Sequence, residues 1–274
     1  MRPSDFSDVP GEWKRSDSHP WSTVAAVALA VISGASLLFG VVLAAAGNPW
    51  GLLYSALFTV IMSLVAAFGV ALRTRRRNLW SAIRTVSAGG SPATEVSYSS
   101  RQFALLTALM ASLASTCVIG SVHLIIAQGM SVAAALLAGV GFISATFPVD
   151  ALFGRIRRGA LLLSEQGVSQ RGWSFESSLT WAEIAGVRAA FNGHPVILVI
   201  GYVNAEWTPR YTTRLWRIDR LPPIHMIEVD CRRFDVYAHA LHDYLAFYAE
   251  NADSRTELGT AAAVARAKQT GSAR

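Results

Sequence analysis

Along the first half of the chain, polar positions all but vanish over four long stretches. In the second half, apolar and polar residues alternate over short runs. WSTVAAVALAVISGASLLFGVVLAAAG (21–47) and WGLLYSALFTVIMSLVAAFGVAL (50–72) hold no charged residue and are parted only by Asn48-Pro49. A second pair, FALLTALMASLASTCVIGSVHLIIA (103–127) and MSVAAALLAGVGFISATFPVDALF (130–153), is joined at Gln128-Gly129. About 20 apolar residues in a helix cross the roughly 30 Å of hydrocarbon in a bilayer. None of the four stretches has the polar face that a helix on the outside of a water-soluble core requires. The pattern predicts four transmembrane α-helices in two hairpins.

After Arg158 the period shortens. LLLSEQ, GVSQRG, SSLTW, EIAGVRAAF, PVILVIGYV, TRLWRI and IHMIEVD read as strands separated by Gly, Asn, Pro or Ser. One amphipathic helix is predicted from Phe234 to Glu250. Tyr237, Leu241, Tyr244, Leu245 and Tyr248 fall on one face, and Asp235, His239, Asp243 and Glu250 on the other. Strands closed by a C-terminal helix predict a β-barrel or sandwich capped by that helix. In LTWAEIAGVR (179–188), alternation turns Leu179 and Trp181 inward and Thr180 outward. Ala182 and Glu183 then form a solvated corner before Ile184 starts the next strand.

Composition agrees with the membrane reading: 52% of residues are hydrophobic and 15% charged, and mean hydropathy is +0.36. The net charge is +6, and its location matters more than its size. Neither hairpin tip carries a charge. The link between the hairpins holds Arg73, Arg75, Arg76, Arg77, Arg84 and Arg101 against Glu95, and Arg155, Arg157 and Arg158 follow the last span. The positive-inside rule places these segments, and with them both termini, in the cytoplasm. Trp21, Trp50 and Trp80 stand at predicted span edges. The first apolar stretch starts late and is too long for the core of a cleavable signal. Cys117 and Cys231 fall on opposite sides of that division and are not expected to pair.

The expected organisation is a cytoplasmic segment 1–20, a four-helix transmembrane domain 21–153 with a basic link 73–102, a cytoplasmic domain 159–250 and a flexible or partly helical tail 251–274. The link starts as RTRRRNLWSAIRTV, a helix continuing the second span that either lies on an anionic leaflet or only fixes topology, and ends in the flexible SAGGSPATEVSYSS. ALRTRRR and ALFGRIRR close the two hairpins alike, through duplication or because every cytoplasmic helix end attracts arginine. Nucleic acid is not expected as a partner, because the basic groups border apolar spans.

Ala104, Ala108, Ser112, Thr116 and Gly120 recur every fourth residue in the third span, a face that lets another helix backbone approach within the bundle or in a homo-oligomer. Ala135 and Gly139 offer a matching surface on the fourth span. His123 and Asp150 are the ionisable groups of the spans, both near span ends. Transport of a polar solute calls for such groups at mid-membrane depth.

The run LLLSEQGVSQRG…LTWAEIAGVRA, with a strand, a G-V turn, a second strand and a W-x-x-I corner ahead of a C-terminal helix, resembles bacterial pleckstrin-homology-like (PH-like) domains over residues 159–250. The resemblance implies a domain for protein or membrane-surface contacts and no catalysis. Phosphoinositide-binding relatives carry basic residues between their first two strands. The corresponding Ser164-Glu165-Gln166-Gly167 has none, so that recognition does not carry over.

The most distinctive polar stretch is YVNAEWTPRYTTRLWR. There Trp207, Arg210, Tyr211, Arg214, Trp216 and Arg217 interleave cations and aromatics, either to grip an anionic partner or headgroup region or as a solvated edge hairpin. No Walker loop, dinucleotide-binding glycine pattern, nucleophile elbow or zincin motif is present. Asp235, His239 and Asp243, at i, i+4 spacing with His242 beside them, offer divalent-metal donors or simply a solvated helix face. The expectation is no enzyme, no cofactor and no metal. The chain reads as a membrane-tethered interaction or scaffold module whose partners are the bilayer and another membrane or cytoplasmic protein. The rival reading is a small transporter or channel subunit regulated by its cytoplasmic domain.

Overall fold

The computed structural model describes residue 13 and residues 21–72, 78–88, 90–219 and 221–272. Arg73, Arg75, Arg76 and Arg77 lie outside the described residues. In chain order come α1 (Trp21–Ala45), α2 (Pro49–Ala71), the short α3 (Leu79–Ala82), β1 (Ile83–Ala88), β2 (Ser91–Ser97), α4 (Ser100–Gln128) and α5 (Val132–Leu152). Then follow β3 (Ala160–Ser164), β4 (Gly167–Arg171), β5 (Phe175–Thr180), β6 (Ile184–Phe191), β7 (Pro195–Gly201), β8 (Arg210–Tyr211), β9 (Met226–Asp230), α6 (Ala238–Glu250) and α7 (Ala261–Ser272). The described residues form a helical unit, within 21–72 and 100–156, and a sheet unit, which takes residue 13 and those within 78–99 and 157–272.

The four helices of the helical unit, α1, α2, α4 and α5, are each long and apolar enough to cross a membrane. Asn48 ends the first tip by accepting a hydrogen bond from Gly51 N (3.2 Å) with Pro49 at the first helical position. Ser131 does the same for Ala134 N at the second tip. These residues start helices because a side-chain acceptor replaces the missing carbonyl partner, and proline loses no bond there. Contact between α1 and α2 is close: a Cβ on Gly40 would sit 2.5 Å from Ser55 Cβ. Thr59 Oγ1 donates to the carbonyl of Ser33 across the same seam (3.1 Å). Helices in apolar surroundings associate through such small residues. Leu38, Phe39, Ile126 and Phe142 stay exposed on the unit's surface.

The small-residue row of α4 is only partly in the seam with α5. Gly120 is buried with Leu137 Cδ1 3.4 Å from its would-be Cβ, Ala108, Ser112 and Thr116 are half-buried, and Ala104 is exposed. The closest approach is instead made by Ala114, Cys117 and Ser121 against Ala134 and Gly141: a Cβ on Gly141 would meet Cys117 Cβ at 3.1 Å, and Ser121 Oγ donates to Ala134 O. Ala135 and Gly139 are exposed. The inward face is thus rotated from the one that the four-residue repeat marks.

The sheet unit corrects the link and the tail. Residues 79–97 form α3 and a β1–β2 hairpin turning at Gly90 (φ +86°), in place of a helix extending α2 and a flexible stretch. Buried Thr94 and Val96 alternate with half-buried Glu95 and Ser97, as in a strand, and the outer edge of β2 is taken by β3 in the register Ala93↔Ser164 to Ser97↔Ala160. Trp80 therefore belongs to this unit, with Lys268 Nζ 5.3 Å from its ring centroid. The tail docks as well: Ala263 and Ala267 are fully buried, and Tyr244 donates to Ala263 O (3.2 Å). Two alanines at i, i+4 give α7 a face small enough to lie against α6.

All strand pairs are antiparallel, in a six-stranded sheet of order β1-β2-β3-β4-β5-β8 and a three-stranded sheet of order β6-β7-β9. Leu241, Tyr244, Leu245 and Tyr248 of α6 are fully buried, whereas Tyr237 precedes the helix and is exposed. TRLWRI is not a strand. The ladder takes Arg210–Tyr211 instead, and Thr213 Oγ1 donates to Trp216 O to close a turn where the strand was expected. Trp13 is buried in this unit too, its indole donating to Ala190 O (2.8 Å) with its ring edge against His242.

Candidate interaction site

Strand alternation builds the site. On β4 and β5, Val168, Gln170, Phe175, Ser177 and Leu179 are buried, which turns Ser169, Arg171, Glu176 and Ser178 to the other face. The register sets Ser169 opposite Ser178 and Arg171 opposite Glu176. β8 then brings Arg210 beside Glu176. Glu176 accepts from Arg210 Nη2 at 2.8 Å and stands 3.6 Å from Arg171 Nε. One carboxylate between two guanidinium groups leaves a positive excess at this end.

The segment 205–209 is held along β5 by side chains. Trp207 Nε1 donates to Ser177 Oγ (2.7 Å), and the hydroxyls of Ser178 and Thr208 share a hydrogen bond (2.8 Å). At the far end Glu183 joins the corner to this segment: it accepts from Thr180 N and Oγ1 through one oxygen and from Glu206 N through the other. The Thr180 hydroxyl, its amide and the Glu206 amide hold the Glu183 carboxyl below its ordinary range. The corner is therefore a capping box that clamps a loop, more than a solvated turn. Trp181 is buried as expected, with its indole on Ser164 O (2.7 Å), and Ile184 is half-buried.

Between the β4–β5 face and segment 206–210 runs an open cleft. One part, of about 410 Å³, is lined by Ser169, Arg171, Glu176, Ser178, Thr208 and Arg210 among others. It adjoins a part of about 330 Å³ that shares Ser169, Ser178 and Thr208 and reaches Thr180, Glu183 and Glu206. Of the predicted arginine–aromatic set, only Arg210 lines the cleft, and Trp207 supports its wall. Tyr211 is half-buried and carries Arg217 on its ring at 4.8 Å, Trp216 is half-buried, and Arg214 is exposed. The stretch that composition singled out thus contributes Arg210 and Trp207 to this cleft. The hydroxyls and Glu206 were missed, though alternation on β4 and β5 already marks Ser169 and Ser178 as facing out.

The other polar candidates are locally satisfied. His123 Nδ1 and the Tyr54 hydroxyl share a hydrogen bond (2.6 Å), and Trp50 stacks on the imidazole at 4.1 Å. Asp150 accepts from Arg155 (3.4 Å). Asp235 precedes α6, so the i, i+4 row through His239 and Asp243 is not formed, and no cluster of metal-ligating side chains occurs among the described residues. Compared with known proteins, the chain matches no family model, no curated protein and no solved structure.

Proposed function

We propose that the chain is a membrane-tethered interaction module: four helices anchor it in a bacterial inner membrane, and a PH-like cytoplasmic unit binds a partner protein through the cleft. The observation that carries this reading is that Trp13, the 79–97 hairpin and residues 157–272 belong to one folded unit. Segments before, between and after two helical hairpins can share a unit only if both hairpins leave and return on one side of a bilayer. The arginines of the link make that side the cytoplasm. Two antiparallel sheets, the W-x-x-I corner and α6 support the PH-like reading. On this reading, β1–β2 is an addition from the link, and the cleft supplies the contact surface.

A photo-crosslinking residue at Thr208, in membranes washed with alkaline carbonate, tests the proposal. The expected result is a discrete protein adduct from Thr208 and none from Arg188, which is exposed on β6. Loss of the chain into the wash would refute the tether, and equal labelling from both positions would refute the cleft.

A further inference from the structure

The cleft has a charge direction that specifies its occupant. At one end Arg171 and Arg210 outnumber Glu176. At the other, Glu183 and Glu206 line the wall, and the groups that hold Glu183 among the described residues are a hydroxyl and two amides, none of them a cation. The floor between the ends is hydroxylic, with Ser169, Ser178 and Thr208 common to both parts of the cleft. Hydroxyls both donate and accept, so such a floor suits a backbone, which presents an N–H and a C=O at every residue.

From Arg171 to Gly167, β4 runs four residues along the cleft, or about 13 Å at the rise of a strand. We infer that the cleft binds an extended segment of a partner protein carrying an acidic and a basic side chain about four residues apart, the acid against Arg171 and Arg210 and the base against Glu183 and Glu206. A chain in extended form covers that distance in the same number of residues, and its side chains at i and i+4 share one face. This inference rests on the interaction reading and adds the chemistry of the partner.

Labelled hexapeptides on a Ser/Thr backbone test it against the full chain in detergent: Asp-x-x-x-Lys, its reverse Lys-x-x-x-Asp, and a neutral version. One charged order is expected to bind above the neutral peptide by about fivefold per end, the strength of an exposed ion pair. In the double variant Arg210→Glu with Glu206→Lys, the preferred order should invert. Arg210 and Glu206 are both exposed, so neither change disturbs a core. Equal binding of all three peptides, or an unchanged preference in the double variant, overturns the charge rule. If Thr208 still captures a partner in membranes under that outcome, the interaction reading stands and only the charge rule falls. Inversion of the preference cannot arise from a non-specific polar surface and establishes the direction.

Discussion

Gly259→Ala tests whether the C-terminal segment is structural. Gly259 has φ +79°, its amide donates to Thr94 Oγ1 (2.8 Å), and a Cβ would lie 2.5 Å from both the carbonyl carbon and Cβ of Pro92. The left-handed backbone costs an L-residue about 1–2 kcal/mol. Pushing into β2, which is paired on both sides, adds about 1–3 kcal/mol of overpacking. A weakened buried hydrogen bond adds about 1 kcal/mol. The total, about 3–6 kcal/mol, corresponds to at least a hundredfold rise in the opening of the tail. Hydrogen exchange of the peptide covering 259–272, read by mass spectrometry on the full chain in detergent, measures it. Gly193→Ala is the control, since Gly193 has φ +67° but nothing within 4 Å of its would-be Cβ; that change should leave the tail's protection within a few-fold of wild type. If the segment were a free tail, Gly259→Ala would be neutral or stabilising by up to about 1 kcal/mol through the unfolded state. Unchanged protection in Gly259→Ala, or an equal loss in Gly193→Ala, would refute the docking.

Two further outcomes follow from the packing and the corner. Leu at Gly40 should force α1 from α2 and lower the detergent resistance of the bundle, while Leu at exposed Ala104 should leave it intact; the reverse order in a thermal aggregation assay would contradict the seam. Glu183 has a lowered folded-state pKa, so its contribution to stability is present above its unfolded value and is lost as pH falls through the folded one. Glu183→Gln should therefore remove part of the stability measured at pH 7 and leave a shallower acid-side loss, and denaturant titrations at pH 7 and below pH 4 with identical slopes for both proteins would rule this out.

Some elements were legible because they depend on neighbours in sequence. The corner at Trp181 was readable from alternation, though not the clamp that Glu183 forms there, and α6 was readable from its apolar face. The link misled because RTRRRNLWSAIR is locally helical in pattern and SAGGSP locally flexible, yet β2 gains its ladder from residues near 160, far along the chain. For the cleft, the loop's cations stood out in composition. Which of them faced the β4–β5 surface depended on Arg210 pairing with Glu176, 34 positions apart.

The sequence by itself determined the four apolar helices, because transfer into hydrocarbon is decided within a window of about 20 residues and needs no distant partner. It also determined the alternating segments of the second half. Only the tertiary structure decided that the link and the tail belong to the sheet unit, that the seam of α4 is turned away from its small-residue row, and that hydroxyls and charges from four separate stretches meet in one cleft. Those features rest on pairings whose hydrogen bonds and close contacts span the chain, and a local pattern carries no record of them.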